Sequence, residues 1–231
     1  MNRTLIIFFL ISISAISQNN PTDLKEYGFF GKIKKMTTTK FSAMFKDGEW
    51  KIDSNQIQSK IIFEFNKVGN IERTVEFTYD ENNHITKNVF DFNFKNDRKE
   101  HYIKSDSTGI LERGKYDWLS PYKYELISVD NNGIKNESYS YLNNDFRDIS
   151  GGTKRFENDS LTFEFKYVNT LDKNGEILFL NMDYITSGFN DKIAISDKEF
   201  DEQNNMTKFS LKSVESNQVY SFNVREIEYY E

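Results

Sequence analysis

The chain contains no cysteine among its 231 residues. That excludes disulfides, Cys-ligated zinc, thiol catalysis and a lipid-modified N-terminal cysteine. Proline occurs only at Pro21 and Pro121, so no Pro-rich linker marks a domain boundary. Alanine, the best helix former, is scarce, and no convincing amphipathic helix can be traced apart from one turn at Thr22 to Tyr27. Positive charge is in deficit: 30 Lys and Arg stand against 36 Asp and Glu, a net charge of −6. An acidic chain lacks the basic face that phosphate binding needs, which argues against nucleic acid as a partner. The two histidines, His84 and His101, do not stand at metal-ligand spacing.

What the chain does have is aromatic residues, 16% of the total with 21 Phe and 13 Tyr. Aromatics suit a pleated, half-buried surface and argue against disorder. The longest apolar run, Leu5 to Ile13, follows Arg3, and Ala15 and Ser17 place small residues before Gln18. This is the pattern of a cleaved secretory signal over residues 1–17; the run is shorter than the ~20 residues a membrane span takes. Residues 18–231 then form one exported domain with no further spanning stretch. Loss of Arg3 leaves 29 basic against 36 acidic residues, a mature charge of −7.

Internal repetition is visible. Phe65-Asn66-Lys67-Val68-Gly69-Asn70-Ile71, Tyr79-Asp80-Glu81-Asn82-Asn83-His84-Ile85, Leu171-Asp172-Lys173-Asn174-Gly175-Glu176-Ile177 and Phe200-Asp201-Glu202-Gln203-Asn204-Asn205-Met206 share one register. Asp106 to Ile110 and Asp130 to Ile134 are shorter versions. Each carries an Asp or Asn (after an apolar residue in the four longer ones), which can cap a turn with its own side chain, and places Gly or Asn three residues on, where a left-handed conformation is needed. Weaker turn signals stand at Asn96-Asp97, Ser120-Pro121, Asn143-Asn144, Asn158-Asp159, Ser187-Gly188 and Ser216-Asn217. Between turns the chain alternates as strands do. Leu161, Phe163, Phe165 and Tyr167 share a parity, as do Phe90, Phe92 and Phe94, and Val75, Phe77 and Tyr79. Tyr220, Phe222 and Val224 have one parity and Ile227 and Tyr229 the other, which predicts a bulge near Arg225-Glu226. Glu49 to Ser59 is polar and reads as a loop. The fold expected is all-β: an antiparallel meander of about 10 to 13 strands forming a long twisted, curled sheet, with a closed barrel or a two-sheet sandwich as alternatives.

The Tyr79-Asp80 motif with its Asn-rich continuation resembles the YD-repeat, or Rhs-like, proteins, and especially the small secreted Rhs-like proteins of Gram-negative bacteria. Phe30-Gly31-Lys32-Ile33-Lys34-Lys35 stands where those proteins carry a Leu-x-Gly-Lys-Val-Lys-like stretch, and Arg225-Glu226-Ile227-Glu228-Tyr229-Tyr230 resembles their closing strand. The resemblance implies export to the periplasm, the outer surface or the medium. It carries over no catalytic or ligand residues.

Chemistry is sparsely encoded. Asp130-Asn131-Asn132-Gly133 lacks the alternate ligands of a calcium loop, since Ile134 falls at a ligand position. No Gly-x-Ser-x-Gly elbow and no P-loop occurs. No metal, cofactor or catalytic residue is assigned, and the chain reads as a non-enzyme. One cluster is a candidate ligand surface: Tyr116, Trp118, Tyr122 and Tyr124, around Asp117 and Pro121. Aromatic faces beside acids suit a sugar, but core and cross-strand packing is the favoured reading, because the whole chain is equally aromatic. The leading expectation is an exported binding or interaction scaffold that engages a protein or cell-surface partner through a sheet face or edge strand. A carbohydrate-binding module and a hydrolase with an unrecognised site are the alternatives.

Overall fold

The structure, a computed structural model, describes residues 21–80 and 84–231. The signal peptide expected over residues 1–17, with cleavage before Gln18, lies outside the described residues, as does the middle of the second repeat. A short helix, α1 (Asp23–Tyr27), precedes fourteen strands. These are β1 (Ile33–Lys46), β2 (Glu49–Phe65), β3 (Ile71–Tyr79), β4 (Ile85–Lys95), β5 (Arg98–Asp106), β6 (Gly109–Ser120) and β7 (Lys123–Asp130). They continue with β8 (Lys135–Leu142), β9 (Asp148–Glu157), β10 (Ser160–Leu171), β11 (Ile177–Tyr184), β12 (Phe189–Phe200), β13 (Met206–Ser213) and β14 (Val219–Tyr229). Each strand pairs antiparallel with its sequence neighbours, and β14 returns to β1, so the meander closes into a barrel.

The closed barrel, an alternative in the sequence reading, thus replaces the curled open sheet. The closing register runs from Lys35 opposite Glu228 to Ser42 opposite Ser221. No local signal encodes a pairing between the two ends of the chain, which is why the sequence does not reveal it. Closure pairs both edges of the sheet along the barrel wall, but the tip of the β1–β2 hairpin runs past it: β14 pairs with β1 only as far as Ser42 and β3 with β2 only from Ser59, so residues 43–46 and 49–58 are paired on one side at most.

Two further expectations are corrected. Glu49 to Ser59 is not a loop but the first part of β2, joined to β1 by a tight turn in which Asp47 and Gly48 have φ of 56° and 84°. Its polarity misleads because both faces of this stretch are largely solvated. No bulge lies at Arg225-Glu226, since β1 and β14 stay in register there. Apolar residues simply occupy both faces of β14.

The repeats are turns, as their composition implies. Asn66, Asp130, Asp172 and Asp201 each accept backbone N–H groups two and four residues on through Oδ1. The residue three positions on is left-handed in each: Gly69, Gly133, Gly175 and Asn204. Asn143 builds the same turn, with Phe146 at the left-handed position at φ 62°. Asn96-Asp97 and Asn158-Asp159 have positive φ at both residues, the geometry that matches the twist of paired strands.

The turns after the even-numbered strands gather at one mouth of the barrel, together with the N-terminal segment and the end of β14. There α1 lodges. Thr22 caps its first turn and Gly28, at φ 81°, ends it. Leu24 donates to the Gly69 carbonyl and packs with Ile33, Met36, Phe65 and Ile71, which form the buried core of this mouth. Asn205 fixes the chain beyond the helix by accepting from the Phe30 N–H at 2.7 Å and donating to the Phe30 carbonyl at 2.9 Å.

Candidate ligand-binding lumen

Residues opposite each other in the register share a face. The inward face of β6 and β7 therefore carries Tyr116 opposite Leu126 and Trp118 opposite Tyr124. Of the four aromatic residues singled out in the sequence, these strands bring three together inside the barrel. The Trp118 and Tyr124 rings lie 4.8 Å apart and those of Tyr116 and Tyr124 5.7 Å. The fourth, Tyr122, is in the turn and stacks on Phe146 at 5.3 Å. The inward rings face α1: Tyr124 donates its hydroxyl to Glu26 at 2.8 Å, and Trp118 Nε1 donates to the Lys99 carbonyl at 3.0 Å.

The helix is also tied by charge. Asp23, 4% exposed, accepts from the Lys99 ammonium at 2.6 Å and from the Ile71 N–H at 2.6 Å. Burial opposes the Lys99 charge, but Asp23 and then Tyr116 hold its pKa well above the ordinary lysine value. Burial pushes the Glu26 carboxyl up to about 7, against the pull of Lys99. Arg147 comes from the β8–β9 turn, donates to the Lys25 carbonyl and pairs with Glu176 at 3.9 Å. Its guanidinium lies so close under Gly28 that a Cβ there would stand 1.7 Å from Nη1.

On the other side of α1 from the aromatic cluster is a cavity of about 340 Å³. Its wall is apolar where Met36, Ile61, Phe63, Leu171, Ile195 and Phe209 face it. Arg225 enters from β14. Its guanidinium carbon lies 4.7 Å from the Phe209 ring centroid and 5.1 Å from that of Phe29, and Nη1 donates to the Met206 carbonyl at 3.3 Å. Nε is buried without a hydrogen-bond partner. Burial lowers the Arg225 pKa to about 10, and Glu176 only partly offsets this.

The acids on the cavity wall are engaged elsewhere. Glu176 pairs with Arg147, Glu26 accepts from Tyr124, and Asp148 accepts from Tyr167 at 2.7 Å and Ser140 at 2.8 Å. Burial raises the Asp148 pKa despite those hydrogen bonds. Among the described residues no cluster of His, Cys, Asp and Glu is arranged to hold a metal. The sequence reading did not find Arg225, Arg147, Asp23, Lys99 or Glu26. The helical turn expected at Thr22 to Tyr27 is the local sign of the helix they surround.

The outer face mixes charged residues with exposed apolar ones such as Ile127, Val129, Tyr141 and Val168. One rung runs Lys115, Ile127, Glu137, Lys154, Glu164 across consecutive strands, and its neighbour runs Asp117, Glu125, Tyr139, Gly152, Lys166, Asp183. Ion pairs on this face include Arg73–Asp91, Lys123–Glu125 and Lys166–Glu164. No helix among the described residues is long and apolar enough to cross a membrane, which leaves open whether the strands do.

No known family model matches the sequence, and no curated protein matches it. Among solved structures, the chain is similar to a porin-like protein from Bacteroides vulgatus ATCC 8482. That match covers 86% of this chain and 98% of the other, with a TM-score of 0.50 and 9% identity. A porin-like protein from Bacteroides uniformis ATCC 8492 matches over 85% and 98% of the two chains, with a TM-score of 0.43 and 10% identity. At 9% identity the likeness to the Bacteroides vulgatus structure is one of fold alone.

Proposed function

We propose that the chain is an exported, non-enzymatic barrel of the Gram-negative envelope that stands in water and binds a small molecule in its lumen. The observation that carries this reading is the cavity itself: about 340 Å³, mostly apolar, with a few convergent polar groups. A barrel wide enough to enclose space, but closed at one mouth by its own N-terminal helix, suits a binding protein better than an open pore. The porin-like name of the similar Bacteroides vulgatus structure supports an envelope location, as does the signal-like N-terminus.

The outer face favours water over the bilayer. A membrane barrel presents an apolar band about 25 Å tall, and Lys or Arg at the bilayer midplane costs roughly 2–4 kcal/mol each. The two charged rungs, with Lys115, Lys154 and Lys166 alternating with acids, interrupt any such band on β6 to β11.

The test is fractionation after expression from the native start in a Gram-negative host. The protein should leave the cells on osmotic shock without detergent, and its intact mass should begin at Gln18, about 17 residues shorter than the translated chain. A product that resists alkaline carbonate and needs detergent for release would place the strands in the membrane and overturn the water-standing barrel.

A further inference from the structure

From the surroundings of Arg225 we infer that the lumenal ligand is an amphipathic monocarboxylate, with its head on the Arg225 guanidinium and its aliphatic or aromatic tail along the Ile61–Phe63–Phe209 wall. The inference rests on the lumen-binding reading above and names the ligand class for it.

A buried guanidinium normally has a carboxylate beside it, because an uncompensated charge away from water is costly. Among the described residues, no acid stands within ion-pair distance of Arg225, and its Nε lacks any partner. Glu176 acts on it only from farther away and is committed to Arg147. The two phenyl rings pack against the guanidinium where it borders the apolar Ile61–Phe63–Phe209 part of the wall, and the acids on the wall are committed to Arg147, Tyr124, Tyr167 and Ser140. A planar fork of N–H groups fits a carboxylate in bidentate fashion.

Arg225 holds the Met206 carbonyl and two rings, but none of these contacts offsets its buried charge as a carboxylate would. Replacing an unpaired buried charge by an apolar side chain of similar length is neutral or stabilising when nothing else needs the charge. A bound anion would supply the missing counter-charge. Size follows from the cavity: about 340 Å³ equals roughly eleven waters at ~30 Å³ each, so the ligand has on the order of ten non-hydrogen atoms. A chain the length of octanoate meets that bound.

Calorimetric titration of the whole mature protein at pH 8 tests this, with octanoate, 1-octanol, octylamine and acetate as probes. Octanoate should bind at least tenfold more tightly than octylamine or acetate. Affinity should rise about fourfold per methylene from butanoate upward, the ratio expected for burying one CH₂, and should level off when the cavity is full. Arg225→Met should weaken octanoate binding at least tenfold, leave 1-octanol binding within twofold, and unfold in urea no earlier than the wild type. If 1-octanol binds but octanoate shows no preference over it, or if Arg225→Met leaves octanoate unchanged, the headgroup assignment is overturned while the lumen reading stands. If neither octanoate nor 1-octanol binds, the lumen reading fails and this inference with it. Should Arg225→Met fail to fold, Phe209→Leu provides the second variant. It removes one of the two rings and should weaken octanoate more than 1-octanol; equal weakening of both would count against the arginine as the head site.

Discussion

The Lys99 ammonium and the Asp23 carboxylate meet at 2.6 Å inside the barrel mouth, both almost sealed from solvent. This contact joins the first helical residue to the start of β5. Removing one partner leaves a buried charge alone, which typically costs about 3–5 kcal/mol. Lys99→Met and Asp23→Leu should each lower the urea unfolding free energy by that order. The double variant should lose less than the sum of the two, since no lone charge remains. Additive losses would mean that the pair is not coupled.

Glu26 predicts an acid-favouring component of stability. Burial raises its pKa from the ordinary 4.5 to about 7, so the folded protein holds the proton more tightly than the unfolded chain does. Well below pH 4.5 both states are protonated and no penalty applies. As pH rises from 4.5 to 7 the unfolded chain ionises first, and stability falls; above 7 the penalty is complete. The unfolding free energy at pH 8, relative to pH 5, should be lower in the wild type than in Glu26→Gln by roughly 1–3 kcal/mol. Parallel pH profiles for the two proteins would remove Glu26 from this role.

The repeat turns predict a difference between side chains at one backbone angle. Gly133 sits at φ 80° with open space around its Cβ position, so strain alone is at issue there. Gly133→Val should destabilise by more than about 1 kcal/mol, whereas Asn, which the chain itself uses at Asn204 with φ 65°, should be milder. At Gly175 a Cβ also stands 3.1 Å from Arg147 Nε, so even Asn there should cost more than at Gly133. Equal urea midpoints for the Val and Asn variants of Gly133 would contradict the turn assignment.

Trp118 separates a sugar platform from a packing role. Its ring lies 4.8 Å from Tyr124, its Nε1 donates to the Lys99 carbonyl, and the Arg98 guanidinium sits 5.2 Å from the ring. Trp118→Ala should therefore cost roughly 2–4 kcal/mol, toward the lower side for a large aromatic because the residue is only half-buried. A variant with wild-type stability that has lost binding on a glycan array would instead favour the carbohydrate-binding reading.

Local chemistry in the sequence determined the turns and the strands between them. Asn66, Asp130, Asp172 and Asp201 cap their own turns, and a residue tolerant of positive φ follows at a fixed offset, so each hairpin is specified within a few residues. Alternation specified strands but not which face is inside. Val75 and Phe77 point outward while Thr74 and Glu76, opposite Phe63 and Ile61, point into the lumen. A barrel with a partly hydrated interior places polar and apolar residues on both faces, which blurs that signal. Closure of β14 onto β1, the seating of α1 in the mouth, and the meeting of Asp23 with Lys99 and of Arg225 with Phe29 were decided only by tertiary structure. Those contacts join residues far apart in the chain, and their energy comes from burial and pairing in space rather than from any neighbour in sequence.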